Sequence, residues 1–283
     1  MPVIRHRSDV SVAFVLGGGG HLGAAEVGML HALLEHGMRP DLIVGTSVGA
    51  LHGAVVADDP SVASVQKLET AWRELASLGV LGSSWFTDAT ILLRTRTHMR
   101  SSDPLRRLAT RFLGAETFEE LAVPFQCVAA CIERSAEHWF ERGPLVEAIL
   151  ASSAVPGIMP PVRINGEHFI DGGLVNSVPL DRAIALGAAE IFVLHVGRLD
   201  QPLSVPRRLR DVAMVAFEIA RRNRFVRDLS NVPHGVSVHV LPTGDPSPLA
   251  YNDFAQLRYR SLRGSDRRIA WAYAATEAYL AGK

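Results

Sequence analysis

Asp41-Leu42-Ile43-Val44-Gly45-Thr46-Ser47-Val48-Gly49 is the stretch that decides how the rest of the chain is read. The apolar run Leu42-Ile43-Val44 predicts a short buried strand, and Ala50-Leu51-His52-Gly53-Ala54-Val55-Val56 predicts the helix after it. Between them stands Ser47, with Gly45 two residues before and Gly49 two residues after. A strand-to-helix turn this sharp leaves no room for side chains at the flanking positions, and it lifts the serine oxygen clear of the backbone. The helix then aims its first N–H groups at the same point. The pattern reads as a nucleophile elbow. The alternative is a tight turn in which Ser47 simply caps the helix.

Upstream, residues 11–16 predict a first strand, followed directly by Gly17-Gly18-Gly19-Gly20-His21-Leu22-Gly23. Residues 22–34 carry helical spacing (Leu22, Ala25, Met29, Leu33), and His36-Gly37 closes that helix. Two short apolar strands joined by a helix imply a parallel pair with a right-handed crossover. Glycines let the backbone approach a ligand closely and gather several N–H groups in one small space. Such donors suit a place where negative charge develops on an oxygen. A glycine loop here also fits a dinucleotide site, but that site expects an acidic residue at the end of the second strand. Gly45-Thr46-Ser47 stands there instead.

Downstream, Phe169-Ile170-Asp171-Gly172-Gly173 places an aspartate at the end of an apolar strand, before two glycines. Alone it reads as an Asx-type turn. With an elbow and a glycine cradle in the same chain it reads as a general base, which a serine nucleophile needs within hydrogen-bond reach. The histidines after Asp171 are His195, His234 and His239, and none sits in a glycine-flanked loop. A Ser–Asp dyad is the simpler account. Further helices are expected at residues 61–78, 144–151, 179–186, 207–229 and 253–280, and one starting with Asp103 as N-cap and Pro104 in the first turn. Residues 125–132 and 138–140 suggest a hairpin, and Asn165-Gly166 within 162–170 a two-residue turn. Strands are expected at 191–196 and 236–241, whereas residues 85–99 fit no single pattern.

The chain has 283 residues, 48% of them hydrophobic and 20% charged, which is ordinary for a globular protein with a large core. No linker or repeat divides it, so a single α/β domain over residues 1–283 is expected. Its 29 basic residues balance 29 acidic ones, which argues against a protein built to hold nucleic acid. The two cysteines, Cys127 and Cys131, would lie about 13 Å apart on one strand, too far for a mutual disulfide. No apolar run approaches the roughly 20 residues of a membrane span. Arg5-His6-Arg7 before Val10-Ser11-Val12-Ala13-Phe14-Val15-Leu16 has the outline of a short signal peptide. The glycines that follow favour a first buried strand and a cytoplasmic protein.

The combination resembles bacterial members of the patatin-like phospholipase family. The resemblance rests on Gly18-Gly19-Gly20-His21-Leu22-Gly23, Gly45-Thr46-Ser47-Val48-Gly49-Ala50, Ala151-Ser152-Ser153-Ala154-Val155-Pro156-Gly157-Ile158-Met159-Pro160-Pro161 and Asp171-Gly172-Gly173-Leu174-Val175-Asn176-Ser177-Val178-Pro179. These span about residues 11–195, and the extension over 203–283 follows the family only in general pattern. The resemblance implies a three-layer α/β/α sandwich with a central, mostly parallel sheet. It implies Ser47 as nucleophile and Asp171 as general base. The N–H groups of Gly18, Gly19, Gly20 and Val48 would form the oxyanion hole, and Gly23, Gly45, Gly49, Gly172 and Gly173 are the remaining motif positions. The implied reaction is hydrolysis of a fatty-acyl ester through an acyl-serine intermediate, without metal or cofactor. Substrates would be those of a phospholipase A, a lysophospholipase or a neutral-lipid esterase. An acyltransferase on the same site, or a silent scaffold keeping the fold, are the alternatives.

Leu22 stands where the family usually has Arg or Lys, which favours neutral esters over phosphate-bearing ones. Basic residues cluster at Arg94, Arg96, Arg100, Arg106, Arg107 and Arg111, and again along residues 207–227, on a helix with Leu209, Val212, Val215, Ala216 and Ile219 at helical spacing. That helix reads either as core-packed with a solvated face or as lying on an anionic membrane, at the inner face of the bilayer. His21 is either a substrate contact or an exposed loop residue. Residues 80–102 are a candidate lid, and Trp85, Phe86 and Met99 either line an acyl pocket or pack ordinarily.

Overall fold

The strands are short, apolar and joined by helices. In the computed structural model, which describes residues 11–77, 98, 100–197, 202–206, 209–246 and 262–282, they form one mixed sheet. They are β1 (Val12–Leu16), β2 (Leu42–Thr46), β3 (Phe125–Cys131), β4 (Ala136–Phe140), β5 (Val162–Ile164), β6 (Glu167–Asp171), β7 (Glu190–Leu194) and β8 (Ser237–Val240). The helices are α1 (Ala24–Glu35), α2 (Val48–Asp58), α3 (Val62–Ser77), α4 (Asp103–Phe112), α5 (Leu145–Ser152), α6 (Leu180–Ala185), α7 (Leu209–Ser230) and α8 (Leu262–Ala281). Followed through its hydrogen bonds, the sheet runs β5-β6-β3-β2-β1-β7-β8, with β4 also paired to β3. The stretch from β8 to β3 is parallel, and β4, β5 and β6 join antiparallel.

Helices cover both faces, which is why β1 and β7 read as continuous apolar runs without alternation. Phe14, Leu16, Ile43, Phe192 and Leu194 pack on one face with residues of α1, α2, α3, α5 and α8. Ala13, Val15, Val44, Ile191 and Val193 pack on the other with Leu180 and Ala183 of α6 and Phe225 of α7. This is an α/β fold with a mostly parallel central sheet flanked by helices. Cys127 and Cys131 both lie buried on the first face, unpaired. Asn165 and Gly166 have φ of 52° and 89°, the positive values of a two-residue turn between β5 and β6.

The register of β3 brings the site together. A strand residue has two lateral neighbours. Cys127 has Gly45 of β2 on one side and Phe140 of β4 on the other, whereas Ala129 has Asp171 of β6 and His138 of β4. β2 and β6 therefore lie end to end on the same edge of β3. β2 leaves that edge at Thr46, paired to Val128, and β6 reaches it from the opposite direction at Asp171, paired to Ala129.

One expectation is corrected. Ser102, not Asp103, takes the N-cap position of α4, because its carbonyl accepts the first helical hydrogen bond, from the Arg106 N–H (2.9 Å). The last expected helix is present from Leu262 to Ala281, and residues 253–261 of that expectation lie outside the described residues. The signal-like stretch 5–10, most of the candidate lid, Trp85, Phe86, Met99, Arg94, Arg96, Arg207 and Arg208 lie outside the described residues. Among those described, no helix is long and apolar enough to cross a membrane.

Candidate active site

Ser47 sits at the junction of β2 and α2 with φ 56° and ψ −121°, a backbone conformation that non-glycine residues avoid. Its surroundings enforce it. A Cβ on Gly45 would stand 2.4 Å from the Gly49 carbonyl oxygen, and one on Gly49 would stand 2.5 Å from that of Leu16. The Ser47 N–H donates to Ser152 Oγ (2.9 Å), and the Thr46 hydroxyl donates to the Asn176 carbonyl (2.8 Å). Ser152 lies within a quoted motif, but sequence alone gives its hydroxyl no partner.

Asp171 ends β6, and its chain is pinned where its own N–H donates to the Ala154 carbonyl (2.9 Å). The Ser47 hydroxyl donates to Asp171 Oδ2 at 2.6 Å, and the Gly173 N–H donates to Oδ1 at 2.7 Å. The contact between serine and carboxylate is direct, with no histidine between them. A Cβ on Gly172 would come within 2.2 Å of the Val128 carbonyl oxygen, so the turn after Asp171 requires glycine. Burial pushes Asp171 up to about 6, against the opposing pull of the Ser47 and Gly173 hydrogen bonds and the charge of Arg221.

The glycine loop packs against both. A Cβ on Gly18 would stand 3.4 Å from that of Ser47, and one on Gly23 only 2.6 Å from Val48 Cγ1. Gly19 has no room for a side chain, because Val196 Cγ2 lies 2.1 Å from where its Cβ would be. One expected donor is lost. The Gly18 N–H is committed to the Ser177 carbonyl (2.8 Å), so it does not face the site. The strap after Asp171 thus holds the glycine loop through Ser177 and β2 through Asn176.

An apolar cavity reaches Ser47 from the first face of the sheet. Leu51 of α2, Leu68 and Trp72 of α3, Leu105 and Leu108 of α4, and Val155, Ile158 and Met159 line it with Gly20 and Val48. Behind it lies a buried polar chain that sequence reading missed. Trp72 Nε1–H donates to His52 Nε2 (3.0 Å), which places the ring proton on Nδ1, facing Glu26 Oε2 at 2.7 Å. Burial holds His52 neutral, down to about 3, and pushes Glu26 well above the usual carboxylate range.

His21 is neither exposed nor in the cavity lining. It is buried beside Trp72, with Nε2 3.0 Å from Arg268 Nη1. Many arginines of the basic clusters meet protein groups: Arg106 pairs with Glu147, Arg111 with Glu74, Arg222 with Glu218 and Arg224 with Asp181. Arg221 donates to the Gly18 carbonyl at 3.0 Å, which brings a cation to the cradle although position 22 is leucine. Among the described residues, no group of three or more His, Cys, Asp or Glu is placed to hold a metal ion.

The chain is similar to known proteins. Neuropathy target esterase sws of Drosophila melanogaster is 32% identical over 192 residues, 67% of this chain and 13% of that protein. Lysophospholipase nte1 of Aspergillus terreus is 32% identical over 190 residues, again 67% of this chain and 12% of the relative. The chain therefore spans only a small part of the length of these curated relatives. Among solved structures, VipD from Legionella pneumophila matches with a TM-score of 0.43 and 15% identity, over 97% of this chain and 67% of that one. Residues 14–184, which hold the glycine loop, the elbow and the Asp171 turn, match the Patatin-like phospholipase family. With that match covering more than half of its length, the chain belongs to the patatin-like phospholipase family.

Proposed function

We propose that this protein hydrolyses fatty-acyl esters of lipids, with Ser47 as nucleophile and Asp171 as its base. The observation that carries the proposal is the direct 2.6 Å hydrogen bond from Ser47 to Asp171, at the wall of an apolar cavity suited to an acyl chain. Ser47 Oγ adds to the acyl carbonyl carbon as its proton passes to Asp171. The oxyanion accepts hydrogen bonds from the N–H groups of Gly19, Gly20 and Val48, with Gly18 left out because its N–H is already engaged. Collapse breaks the ester C–O bond, and Asp171 gives its proton to the departing alcohol. Water then adds to the acyl-serine as Asp171 takes its proton. The second collapse releases the fatty acid and returns the proton to Ser47.

The similarity to lysophospholipase nte1 supports a lysophospholipid as the substrate class to try first. The test is a fluorophosphonate probe followed by peptide mass spectrometry, beside fatty-acid release from a lysophospholipid and a monoacylglycerol. A stoichiometric adduct on Ser47 is expected, with both activities lost in Ser47→Ala and Asp171→Asn. Labelling elsewhere, or full hydrolysis by folded Asp171→Asn, would sink the dyad.

A further inference from the structure

We propose that Arg221 of α7 is a positioning residue for the reaction, holding the Gly18–Gly19 peptide so that the Gly19 N–H faces the oxyanion. The inference rests on the reading of Ser47 as nucleophile. It adds a residue from beyond the stretch that matches the family.

Arg221 Nη1 donates to the Gly18 carbonyl oxygen at 3.0 Å. In a planar trans peptide the carbonyl of one residue and the N–H of the next point in opposite directions. Fixing where Gly18 C=O points therefore fixes where Gly19 N–H points. α7 packs on the sheet face that carries Val15 and Val193, through Phe225. The cavity at Ser47 is walled by α2, α3 and α4, on the opposite face. With the carbonyl drawn toward α7, the Gly19 N–H is aimed away from it, toward the cavity side. Glycine residues 17 to 20 have little conformational preference of their own. Something outside the loop must choose this peptide orientation.

The hold is built rather than incidental. Arg221 is largely buried, and Glu218, one turn back on α7, meets its Nε at 3.1 Å. Gly197 leaves space for it: a Cβ there would come within 2.6 Å of Arg221 Nη2. The same helix face grips the Asp171 turn. Arg224 donates to the Val175 carbonyl at 2.8 Å, and the Phe217 ring lies 3.2 Å from where a Gly173 Cβ would stand. One helix thus fixes the loops on both sides of Ser47. The charged and titratable groups around Arg221 are Glu218 and Arg222 on α7 and His195 after β7, whose ring burial keeps neutral, helped by the two arginines. Its charge also reaches Asp171 and favours the ionised carboxylate.

The experiment compares Arg221→Met, Arg221→Gln and Arg221→Lys with the unaltered protein and with Ser47→Ala. Hydrolysis of p-nitrophenyl butyrate is measured per fluorophosphonate-titrated site across pH. Removing an oxyanion donor outright costs about 10²- to 10³-fold in kcat, so disordering one through Arg221→Met should cost about 10- to 100-fold, with KM little changed. The acid limb of the profile should move to higher pH in the Met and Gln variants. Arg221→Lys, which keeps the charge and a donor, should restore most of kcat and leave the limb in place. A folded Arg221→Met with unaltered kcat per titrated site and an unmoved limb overturns the proposal, whatever its effect on melting. Should the Met variant fail to fold, equal kcat and equal limbs in Gln and Lys overturn it instead. Hydrolysis surviving in Ser47→Ala would overturn the nucleophile reading itself, and this proposal with it.

Discussion

Burial pushes Asp171 up to about 6 even though Ser47, Gly173 and Arg221 all favour its charged form. A base must be ionised to accept a proton, so kcat/KM should rise through about pH 6 and then level. Stability runs the other way. The folded pKa lies above the unfolded one, so the contribution of Asp171 to stability is fully present below the unfolded value. It is lost as pH rises through about 6. At neutral pH the ionised group costs on the order of 3 kcal/mol by this linkage. Asp171→Asn is therefore expected to be inactive at pH 8 yet to unfold at no lower urea concentration than the unaltered protein. A marked fall in its urea midpoint would refute that. Ser47 and Asp171 were legible in sequence because each is framed by glycines that sterics demand. Gly45, Gly49 and Gly172 each face a carbonyl oxygen where a Cβ would be. Gly18 was misread because its partner, the Ser177 carbonyl, belongs to a segment far along the chain.

The elbow does not hold its shape alone. α5 supplies the acceptor for the Ser47 N–H through Ser152, which is fully buried. Ser152→Ala would leave that N–H without its partner, at a cost of about 1–3 kcal/mol. The expected outcome is a lower urea midpoint together with a lower kcat per titrated site, since the strained conformation at Ser47 loses a support. An unchanged kcat would show that the glycines alone hold the turn. Strand and helix positions were largely legible from apolar runs and turn residues, because both rest on local chemistry. The role of α7 was not. Its periodicity shows an apolar face and a basic face, but nothing local says that Arg221 and Arg224 meet the Gly18 and Val175 carbonyls rather than water or lipid. The Glu26–His52–Trp72 chain was missed for the same reason, since it joins three helices.

Across the molecule, buried titratable groups set the response to acid. Burial holds His21 down to about 4, and His52 and His195 to about 3, so all three stay neutral in the fold while the unfolded chain protonates them near 6.5. Each contributes stability that is present above 6.5 and lost as pH falls toward its folded value. Asp171 and Glu26, both raised, oppose this. Three histidines against two carboxylates leave a net uptake of roughly one proton on unfolding, or on the order of 1 kcal/mol lost per pH unit between pH 6 and 5. The urea midpoint should fall on acidification through that window. A flat curve would refute that net uptake.

The end-to-end meeting of β2 and β6 on one edge of β3 has a consequence for biosynthesis. Ser47 is made before Asp171, which follows it 124 residues later. On the proposed dyad, the serine has no base until β6 docks on β3. On that reading, a growing chain would carry an inert hydroxyl past every acyl ester it meets. Docking of β6 would, on the same reading, switch the site on while β7 and β8 are still to be added to the sheet.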